Sequence, residues 1–135
     1  QILESHAIQT GIFSAAVADY RPAEVFDGKL SSGQAQLTLK LIPTEKVIQQ
    51  VRQQFPELYM VTFKYEEQLT HEALMQIAQT RLASGSDMVI ANRGEESDPQ
   101  GEQVAWLVLP NQPAISATGK AEIAKVLLNY LERNV

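Results

Sequence analysis

One carboxylate and one lysine occupy a stretch of the chain whose composition could support ligand chemistry. The segment SAAVADYRP, residues 14–22, runs from small apolar side chains into Asp19, and Lys29 follows within a loop rich in Gly and Ser. Small side chains let a ligand ring or ribose approach the backbone, and a carboxylate beside them can accept charge-assisted hydrogen bonds. A lysine on a mobile loop can close over an anionic substrate. The commoner roles are a turn-forming aspartate and a solvated lysine.

Three further positions could contact a ligand. The stretch IPTEKV, residues 42–47, predicts a helix start whose free N–H groups would attract an anion near Glu45 and Lys46. Phe63 could stack on a base, although a core phenylalanine is more common. Asn92 could be a polar contact or a turn residue. None of these signals is specific alone.

The pattern of apolar residues predicts the elements that would position these side chains. Apolar runs predict buried strands, a period of two predicts a half-exposed strand, and stripes at helical spacing predict helices, with Thr44 and Thr70 as N-caps. The predicted strands are 12–18, 35–42, 58–63, 87–92, 103–109 and 114–116, and the predicted helices are 45–55, 71–84 and 120–133. Residues 93–102 are predicted to be a solvated loop.

This alternation of strands and helices predicts an α/β fold, a Rossmann-like and mostly parallel sheet with flanking helices and an antiparallel edge hairpin. We expect a single domain over residues 1–135. Ligands of such sheets bind beyond the carboxyl ends of the strands. Asp19, Phe63 and Asn92 are therefore the predicted cleft positions, and we expect Asp19 to end a buried strand in a cleft shared with Phe63.

Composition excludes several classes of function. The 135 residues contain no cysteine and two histidines, which leaves almost no material for a thiolate metal site or a Ser-His-Asp triad. The formal net charge is −5 and no basic run occurs, so nucleic-acid binding is not expected. No apolar stretch is long enough to span a membrane and no signal peptide is present, so we expect a cytoplasmic protein. The chain begins at Gln1 on what resembles the end of a helix, at residues 1–9, so we expect an excerpt of a longer protein.

Several segments together resemble phosphopantothenate–cysteine ligase, the synthetase half of the bifunctional coenzyme A biosynthesis flavoprotein family. The resemblance runs from about Phe13 to the C-terminus and corresponds to the C-terminal part of that ligase. It is carried, in this order and spacing, by AAVADYRP, GKLSS, LTLKLIPTEKVI, VTFKYE and DMVIAN. The segment from AAVADYRP to the following Gly-Lys is the most specific.

The resemblance implies a dimeric Rossmann-like enzyme. It activates the carboxylate of 4′-phosphopantothenate with CTP, accompanied by Mg²⁺, and the amine of cysteine then attacks the acyl-nucleotide. No flavin is expected on this part, and no residue of this chain is assigned to a metal. Lys29 matches the catalytic lysine of a flap. The residues that match the nucleotide site are Phe13, Ser14, Ala15, Asp19, Glu45, Lys46, Val47, Ile48 and Phe63.

Two departures from the family pattern leave an alternative open. The family usually carries two lysines one helical turn apart before the DMVIAN strand, where this chain has Thr80 and Ser84. Arg81 lies beside the first position but points about 100° around the helix. The N-terminal half of the ligase, with its glycine-rich first turn and an active-site asparagine, has no counterpart in these residues. The alternative is a non-catalytic nucleotide-binding or dimerisation module, or a half that pairs with a separately encoded N-terminal half.

Overall fold

The computed structural model describes residues 8–30, 32–33 and 35–135, and these divide into two compact units. Among the described residues, the sheet unit consists of 8–14 and Ile48–Val135, and the hairpin unit lies within Ala15–Val47. The predicted helical tail at residues 1–9 falls mainly on residues 1–7, outside the described ranges. That residues 1–135 form one domain stays a prediction.

The described residues form seven strands and three helices, joined by turns and loops. In chain order they are β1 Thr10–Phe13, β2 Tyr20–Pro22, β3 Leu41–Pro43, α1 Val47–Gln54, β4 Tyr59–Glu66, α2 His71–Ala83, β5 Met88–Ser97, β6 Gln103–Val108, β7 Ile115–Thr118 and α3 Gly119–Asn134. None of these helices is both long enough and apolar enough to cross a bilayer.

The sheet unit contains a five-stranded sheet in the order β1-β4-β5-β6-β7. β1, β4 and β5 are parallel, and β6 and β7 are added antiparallel. A parallel neighbour needs a crossover, and α2 provides the one between β4 and β5, whereas antiparallel strands need only short turns. The predicted Rossmann-like α/β fold with an antiparallel edge hairpin is confirmed.

Apolar side chains cover both faces of this sheet. On one face α3 packs over a cluster that includes Val61, Ile90 and Leu107. On the other face α2 inserts Leu74 and Ala78, with further side chains of β5 and β6. β5 contributes to both clusters because its successive residues alternate between the faces, which is why Met88–Ala91 are all buried.

Arg52 of α1 ties together three segments at the amino edge of the sheet. Its guanidinium donates to Gly85 O at 2.7 Å, to Pro56 O at 2.6 Å and to the Asp87 carboxylate. Asp87 also accepts a 2.7 Å bond from the N–H of Met60, so one carboxylate joins β4 and the start of β5. The Arg52 side chain is 22% exposed, so its bonds to Gly85 and Asp87 are partly sheltered from water, whereas the bond to Pro56 is exposed.

The hairpin unit is built around β2 and β3, which form a separate antiparallel two-stranded sheet. A hydrogen bond of 2.8 Å from Ala23 N to Lys40 O extends the pairing past β2. No described residue of this unit is fully buried. The unit therefore lacks an apolar core of its own in the described residues.

Two strand predictions are wrong in position. β1 ends at Phe13, and residues 14–18 are exposed and form no regular structure, so no buried strand runs over 12–18. Alanines have little apolar surface to bury, so an alanine-rich run does not by itself require a buried strand. The strand predicted at 35–42 is reduced to β3, because only Leu41–Pro43 find a partner in β2.

Replacing Arg52 by lysine tests the contribution of this network. A lysine ammonium keeps the charge but cannot reach the Gly85, Pro56 and Asp87 acceptors in the planar geometry of a guanidinium. We expect Arg52→Lys to lower the free energy of unfolding by about 1–3 kcal/mol, measured by urea denaturation.

The matched control is Arg81→Lys on α2. The described part of the chain shows no hydrogen-bond or ion-pair partner for the Arg81 side chain, so its replacement should change stability by less than about 0.5 kcal/mol. Equal losses in the two variants would contradict a specific role for Arg52.

Candidate functional site

The pairing of β2 with β3 brings Asp19 together with the segment that leads into α1. The N–H of Thr44 donates to Asp19 O at 2.9 Å, and the Thr44 hydroxyl donates to Ala18 O. The ammonium of Lys46 forms an ion pair with the Asp19 carboxylate. Residues predicted from separate stretches of the sequence as ligand contacts, Asp19 and Lys46, therefore lie in contact.

This ion pair is open to solvent. The side chains of Asp19 and Lys46 are 69% and 59% exposed. Exposed pairs of this kind contribute little stability, so their charges remain accessible to a ligand. The contact consequently supplies both a carboxylate acceptor and a positive charge on one exposed surface of the hairpin unit.

Thr44 does not cap α1, contrary to the prediction. The helix begins at Val47, three residues later, and the Thr44 hydroxyl is bonded to Ala18 O instead. Glu45 and Lys46 thus precede the helix, while Val47 and Ile48 are its first two residues. Glu45 is exposed and Ile48 is half-buried.

The residues around the end of β1 are placed differently from the prediction. Phe13 is the last residue of β1 and its ring covers Gly11, where an added Cβ would lie 2.7 Å from Phe13 Cε2. Ser14 and Ala15 follow it and are exposed. Asp19 directly precedes β2, so the prediction that it ends a buried strand is wrong.

Phe63 lies in the middle of β4 rather than at its end. The strand continues to Glu66, and the half-buried Phe63 ring packs against the cluster under α3. Phe13 is the register partner of Thr62, so Phe13 and Phe63 point to opposite faces of the sheet. Asp19 and Phe63 belong to different units, and a cleft shared by them stays a prediction.

Lys29 is exposed in a segment without regular secondary structure. Gly28 and Gly33 flank it with φ of 100° and 97°, a region open to glycine and costly for other residues. An added Cβ at either glycine would meet no atom within 4 Å. Space for a side chain is therefore open at both glycines, while Ser31 lies outside the described residues.

Thr80 and Ser84 are exposed at the C-terminal end of α2. Their hydroxyls donate to carbonyls of the same helix, Thr80 to Gln76 O at 2.9 Å and Ser84 to Arg81 O at 3.0 Å. Because α2 crosses back from β4 to β5, this end of the helix lies at the amino edge of the sheet. Neither position supplies a positive charge there.

A polar cluster that the sequence did not reveal lies where β5 runs beyond residue 92. Glu96 accepts hydrogen bonds from Trp106 Nε1 at 2.6 Å and from His71 Nδ1 at 2.9 Å, and Arg93 Nε lies 3.0 Å from its carboxylate. The His71 and Trp106 rings pack edge to face with centroids 4.7 Å apart. Arg93 also donates to Leu69 O at 2.7 Å, which fixes the loop before α2.

The segment 93–102 was predicted to be a solvated loop, and the first half of that prediction is wrong because β5 extends to Ser97. The turn is confined to residues 98–102, where the Asp98 carboxylate accepts from the N–H groups of Gln100 and Glu102. The Asp-Pro-Gln-Gly sequence at 98–101 is a turn signal that could have located it.

The Glu96 carboxylate is held in its charged form. Partial burial raises the pKa of Glu96, but hydrogen bonds from Trp106 and His71 and the neighbouring positive charge of Arg93 outweigh this and lower the pKa below its ordinary value. Its side chain is only 16% exposed. The cluster therefore acts as a charged clamp joining β5, β6 and the start of α2.

The chain matches one family model and two curated relatives. The model of the DNA/pantothenate metabolism flavoprotein C-terminal domain matches residues 2–134. The coenzyme A biosynthesis bifunctional protein CoaBC of Thermococcus kodakarensis is 32% identical over 90% of this chain and 30% of its own length. The protein of the same name in Methanocaldococcus jannaschii is 38% identical over 60% of this chain and 20% of its own.

Solved structures give the same picture of the fold. The DNA/pantothenate metabolism flavoprotein from Streptococcus pneumoniae matches with a TM-score of 0.80 and 26% identity, over 96% of this chain and 65% of its own. The C-terminal domain of a CoaBC protein matches with a TM-score of 0.67 at 18% identity. The chain spans less than a third of the length of the two CoaBC proteins from Thermococcus kodakarensis and Methanocaldococcus jannaschii.

The pH dependence of stability in a Glu96 variant tests whether the charge of Glu96 stabilises the fold. A carboxyl whose pKa is lower in the folded than in the unfolded protein stabilises the fold above its unfolded pKa, and this is lost as the pH falls through the folded pKa. We expect Glu96→Gln to lower the free energy of unfolding by about 1–3 kcal/mol at pH 7. The deficit relative to wild type should shrink as the pH falls below about 4.5, the ordinary value for Glu.

The measurement is urea unfolding at a series of pH values, with Glu132→Gln on the exposed side of α3 as the control. The control should match wild type within about 0.5 kcal/mol at neutral pH. A deficit for Glu96→Gln that does not vary between pH 7 and pH 3 would show that packing, not charge, accounts for the effect.

Proposed function

The chain belongs to the family of the DNA/pantothenate metabolism flavoprotein C-terminal domain, and we propose that it is part of a ligase of coenzyme A biosynthesis that joins 4′-phosphopantothenate to cysteine. The observation that carries this proposal is the family match over residues 2–134. The curated relatives support it, because both are called coenzyme A biosynthesis bifunctional proteins.

The proposed reaction has two steps. The carboxylate of 4′-phosphopantothenate attacks the α-phosphorus of CTP, which forms an acyl-CMP anhydride and releases pyrophosphate. The amine of cysteine then attacks the acyl carbon, forms the amide, loses a proton and releases CMP. Activation is needed because a free carboxylate is a poor electrophile. Both steps pass through anionic transition states, which positively charged groups and N–H donors stabilise.

The hairpin unit offers groups suited to the nucleotide. In the proposal, Asp19 accepts hydrogen bonds from hydroxyl or amino groups of the ligand, and Lys46 lies beside it. In the proposal, the first backbone N–H groups of α1, at Val47 and Ile48, have no partner within the helix and face the anion. Phe13, Ser14, Ala15, Glu45 and Phe63 complete the proposed nucleotide-binding set.

Lys29 is the proposed catalytic residue. In the proposal, the segment that carries the exposed Lys29 closes over the acyl-nucleotide and brings the ammonium to it. There the ammonium would stabilise negative charge that develops during activation or attack. One such contact is worth about 3 kcal/mol in comparable sites.

The proposal includes the partners of the family. We propose a homodimer, completed by the N-terminal part of the ligase that this chain does not match. Mg²⁺ would arrive with the triphosphate. The described residues contain no group of three acidic or histidine side chains placed to hold a metal. No flavin is proposed on this part.

The alternative is a non-catalytic nucleotide-binding or dimerisation module. This alternative rests on Thr80 and Ser84, which are uncharged residues at the two positions where the family usually has lysines. The curated relatives do not favour it, because their shared name is that of a biosynthetic protein.

Removing the charge of Lys29 tests the catalytic assignment. In a complete ligase that contains this chain, Lys29→Gln keeps much of the side-chain length and removes the ammonium. We expect steady-state formation of the cysteine conjugate to fall by about 10²-fold or more, with an unchanged melting temperature because the residue is exposed.

Lys40→Gln is the matched control, since Lys40 is also an exposed lysine of the hairpin unit and is outside the proposed site. It should retain wild-type turnover. Equal turnover of Lys29→Gln and wild type would assign Lys29 to the solvated surface and remove it from the mechanism.

Placing lysines at positions 80 and 84 of α2 tests whether the loss of the family's two usual lysines weakens nucleotide binding. We expect the chain alone to bind CTP weakly, because charged hydrogen bonds worth about 1.5–3 kcal/mol each are missing. The double variant Thr80→Lys/Ser84→Lys should bind CTP at least about tenfold more tightly in calorimetry.

The control is Gln79→Lys/Ala83→Lys, which adds the same charge to exposed positions on a neighbouring face of α2. Its CTP affinity should remain close to that of wild type. Equal tightening in both double variants would indicate general charge attraction and would contradict a triphosphate contact at positions 80 and 84.

A further inference from the structure

His71 is the first residue of α2 and lies at the edge of the sheet where the parallel strands end. α2 crosses from the carboxyl end of β4 to the amino end of β5, so its first turn is at the carboxyl edge. The Thr70 hydroxyl accepts a 3.2 Å bond from Ala73 N and fixes the start of the helix. Ligands of open α/β sheets bind beyond this edge. His71 is therefore placed where a substrate of such a fold is reached.

The Glu96 carboxylate holds the His71 ring in one tautomer. Oε1 of Glu96 lies 2.9 Å from Nδ1 of His71, and Oε2 accepts a 2.6 Å bond from Trp106 Nε1. Because a charged carboxylate can only accept hydrogen bonds, Nδ1 must carry the proton and donate it. The neutral imidazole then has its lone pair on Nε2.

That lone pair is accessible. Nε2 has no hydrogen-bond partner among the described residues, and it is not a buried atom. The His71 side chain is 35% exposed, whereas Glu96 behind it is 16% exposed. A sheltered carboxylate on Nδ1 and an open lone pair on Nε2 are the arrangement in which a histidine acts as a general base.

A register shift in β5 aims Glu96 at this ring. The pairing of β5 with β6 is irregular between Asn92 and Ser97. Strict alternation would place Glu96 on the face opposite Ala91, yet Glu96 contacts Trp106, which packs on the face of Ala91. Bulges re-aim side chains and are common beside active sites. The contact between Glu96 and His71 therefore depends on a local irregularity of the strand.

We propose that His71 is the general base of the second step of the proposed reaction, with Glu96 as its positioning residue. This role rests on the proposed function, in which the proton of the cysteine amine has no assigned acceptor. The amine nitrogen bonds to the acyl carbon, the bond from that carbon to the CMP oxygen breaks, and CMP leaves. The proton passes from the nitrogen to Nε2 of His71 and then to solvent.

The first step of the reaction needs no such base. The carboxylate of 4′-phosphopantothenate attacks CTP as an anion and has no proton to lose. Loss of the base should therefore slow amide formation and leave activation intact. A merely structural role of the His71 cluster would affect both steps.

Comparing the two steps in a His71 variant tests the proposal. In a complete ligase that contains this chain, His71→Asn keeps a side-chain N–H for Glu96 and removes Nε2. We expect amide formation in a single turnover to fall by about 10²-fold or more. Exchange of labelled pyrophosphate into CTP, dependent on 4′-phosphopantothenate, should keep the wild-type rate.

Glu96→Gln tests the positioning role through the tautomer. Trp106 Nε1 can only donate, so the amide oxygen of the variant should face it and the amide NH₂ should face Nδ1 of His71. Nδ1 then accepts, and the ring proton moves to Nε2, where it blocks the base. We expect amide formation to fall by about 10²-fold or more.

Nitrogen NMR of the complete ligase labelled in histidine reads the tautomer directly. The His71 signals are those missing from His71→Asn. The neutral ring should carry its proton on Nδ1 in wild type and on Nε2 in Glu96→Gln. Glu95→Gln is the matched control, because the neighbouring Glu95 carboxylate accepts from the N–H of Gln68 instead. It should keep the wild-type tautomer and rate.

Three results would overturn the proposal. They are wild-type amide formation by His71→Asn or Glu96→Gln, an equal loss of exchange and amide formation in these variants, and a wild-type ring that carries its proton on Nε2. If His71→Asn does not fold, the wild-type tautomer and the rate of Glu96→Gln decide. A wild-type protein without exchange dependent on 4′-phosphopantothenate would instead contradict the proposed function, on which the role of His71 rests.

Discussion

The hydrogen-bonded pair of Arg52 and Asp87 is the constraint on which the sheet unit depends. One guanidinium satisfies two backbone carbonyls and one carboxylate, and that carboxylate also holds the N–H of Met60. These bonds fix the end of α1, the beginning of β4 and the turn into β5 relative to one another. The same bonds hold the amino ends of β4 and β5 side by side, while the α2 crossover makes the two strands parallel.

At the other end of β5, Glu96 plays the corresponding part for the antiparallel half of the sheet. Hydrogen bonds from Trp106 and His71 connect β6 and α2 to the same carboxylate, and Arg93 anchors the loop before α2. Charged side chains therefore make hydrogen bonds at both ends of the central strand β5. The proposed ligand residues Asp19, Lys29 and Lys46 lie in the hairpin unit, which has no fully buried residue among those described. This division suits a binding surface that must adapt to its ligand.

Sequence patterns predicted the sheet unit well because its signals are strong and local. α2 was predicted at 71–84 and is His71–Ala83, and the Thr70 hydroxyl accepts a 3.2 Å bond from Ala73 N as an N-cap should. Sequence patterns gave wrong predictions where the secondary structure depends on contacts with residues distant in the sequence. Within the extension of β5 to Ser97, Glu96 is bonded to Trp106 and His71. The charged sequence of residues 93–102 does not indicate these two distant partners. The alanine-rich run after Phe13 is exposed, because an apolar run forms a buried strand only where other elements of the fold cover it.

The candidate site was predicted in part for the same reason. The contact between Asp19 and Lys46 joins residues 27 positions apart, and the sequence context of each residue indicates a ligand contact. The clusters of Arg52 and Glu96 were missed because arginine and glutamate on a helix and in a polar run are usually solvated, and only the tertiary structure shows that these are not.

The exchange of labelled pyrophosphate into CTP, catalysed by a complete protein that contains this chain, tests the central claim most directly. If the carboxylate of 4′-phosphopantothenate attacks CTP to form an acyl-CMP, the label should enter CTP in the absence of cysteine and only when 4′-phosphopantothenate is present. Adding cysteine should then convert the intermediate to the amide and CMP. Exchange that does not require 4′-phosphopantothenate, or no exchange in a folded protein that binds CTP, would contradict the account.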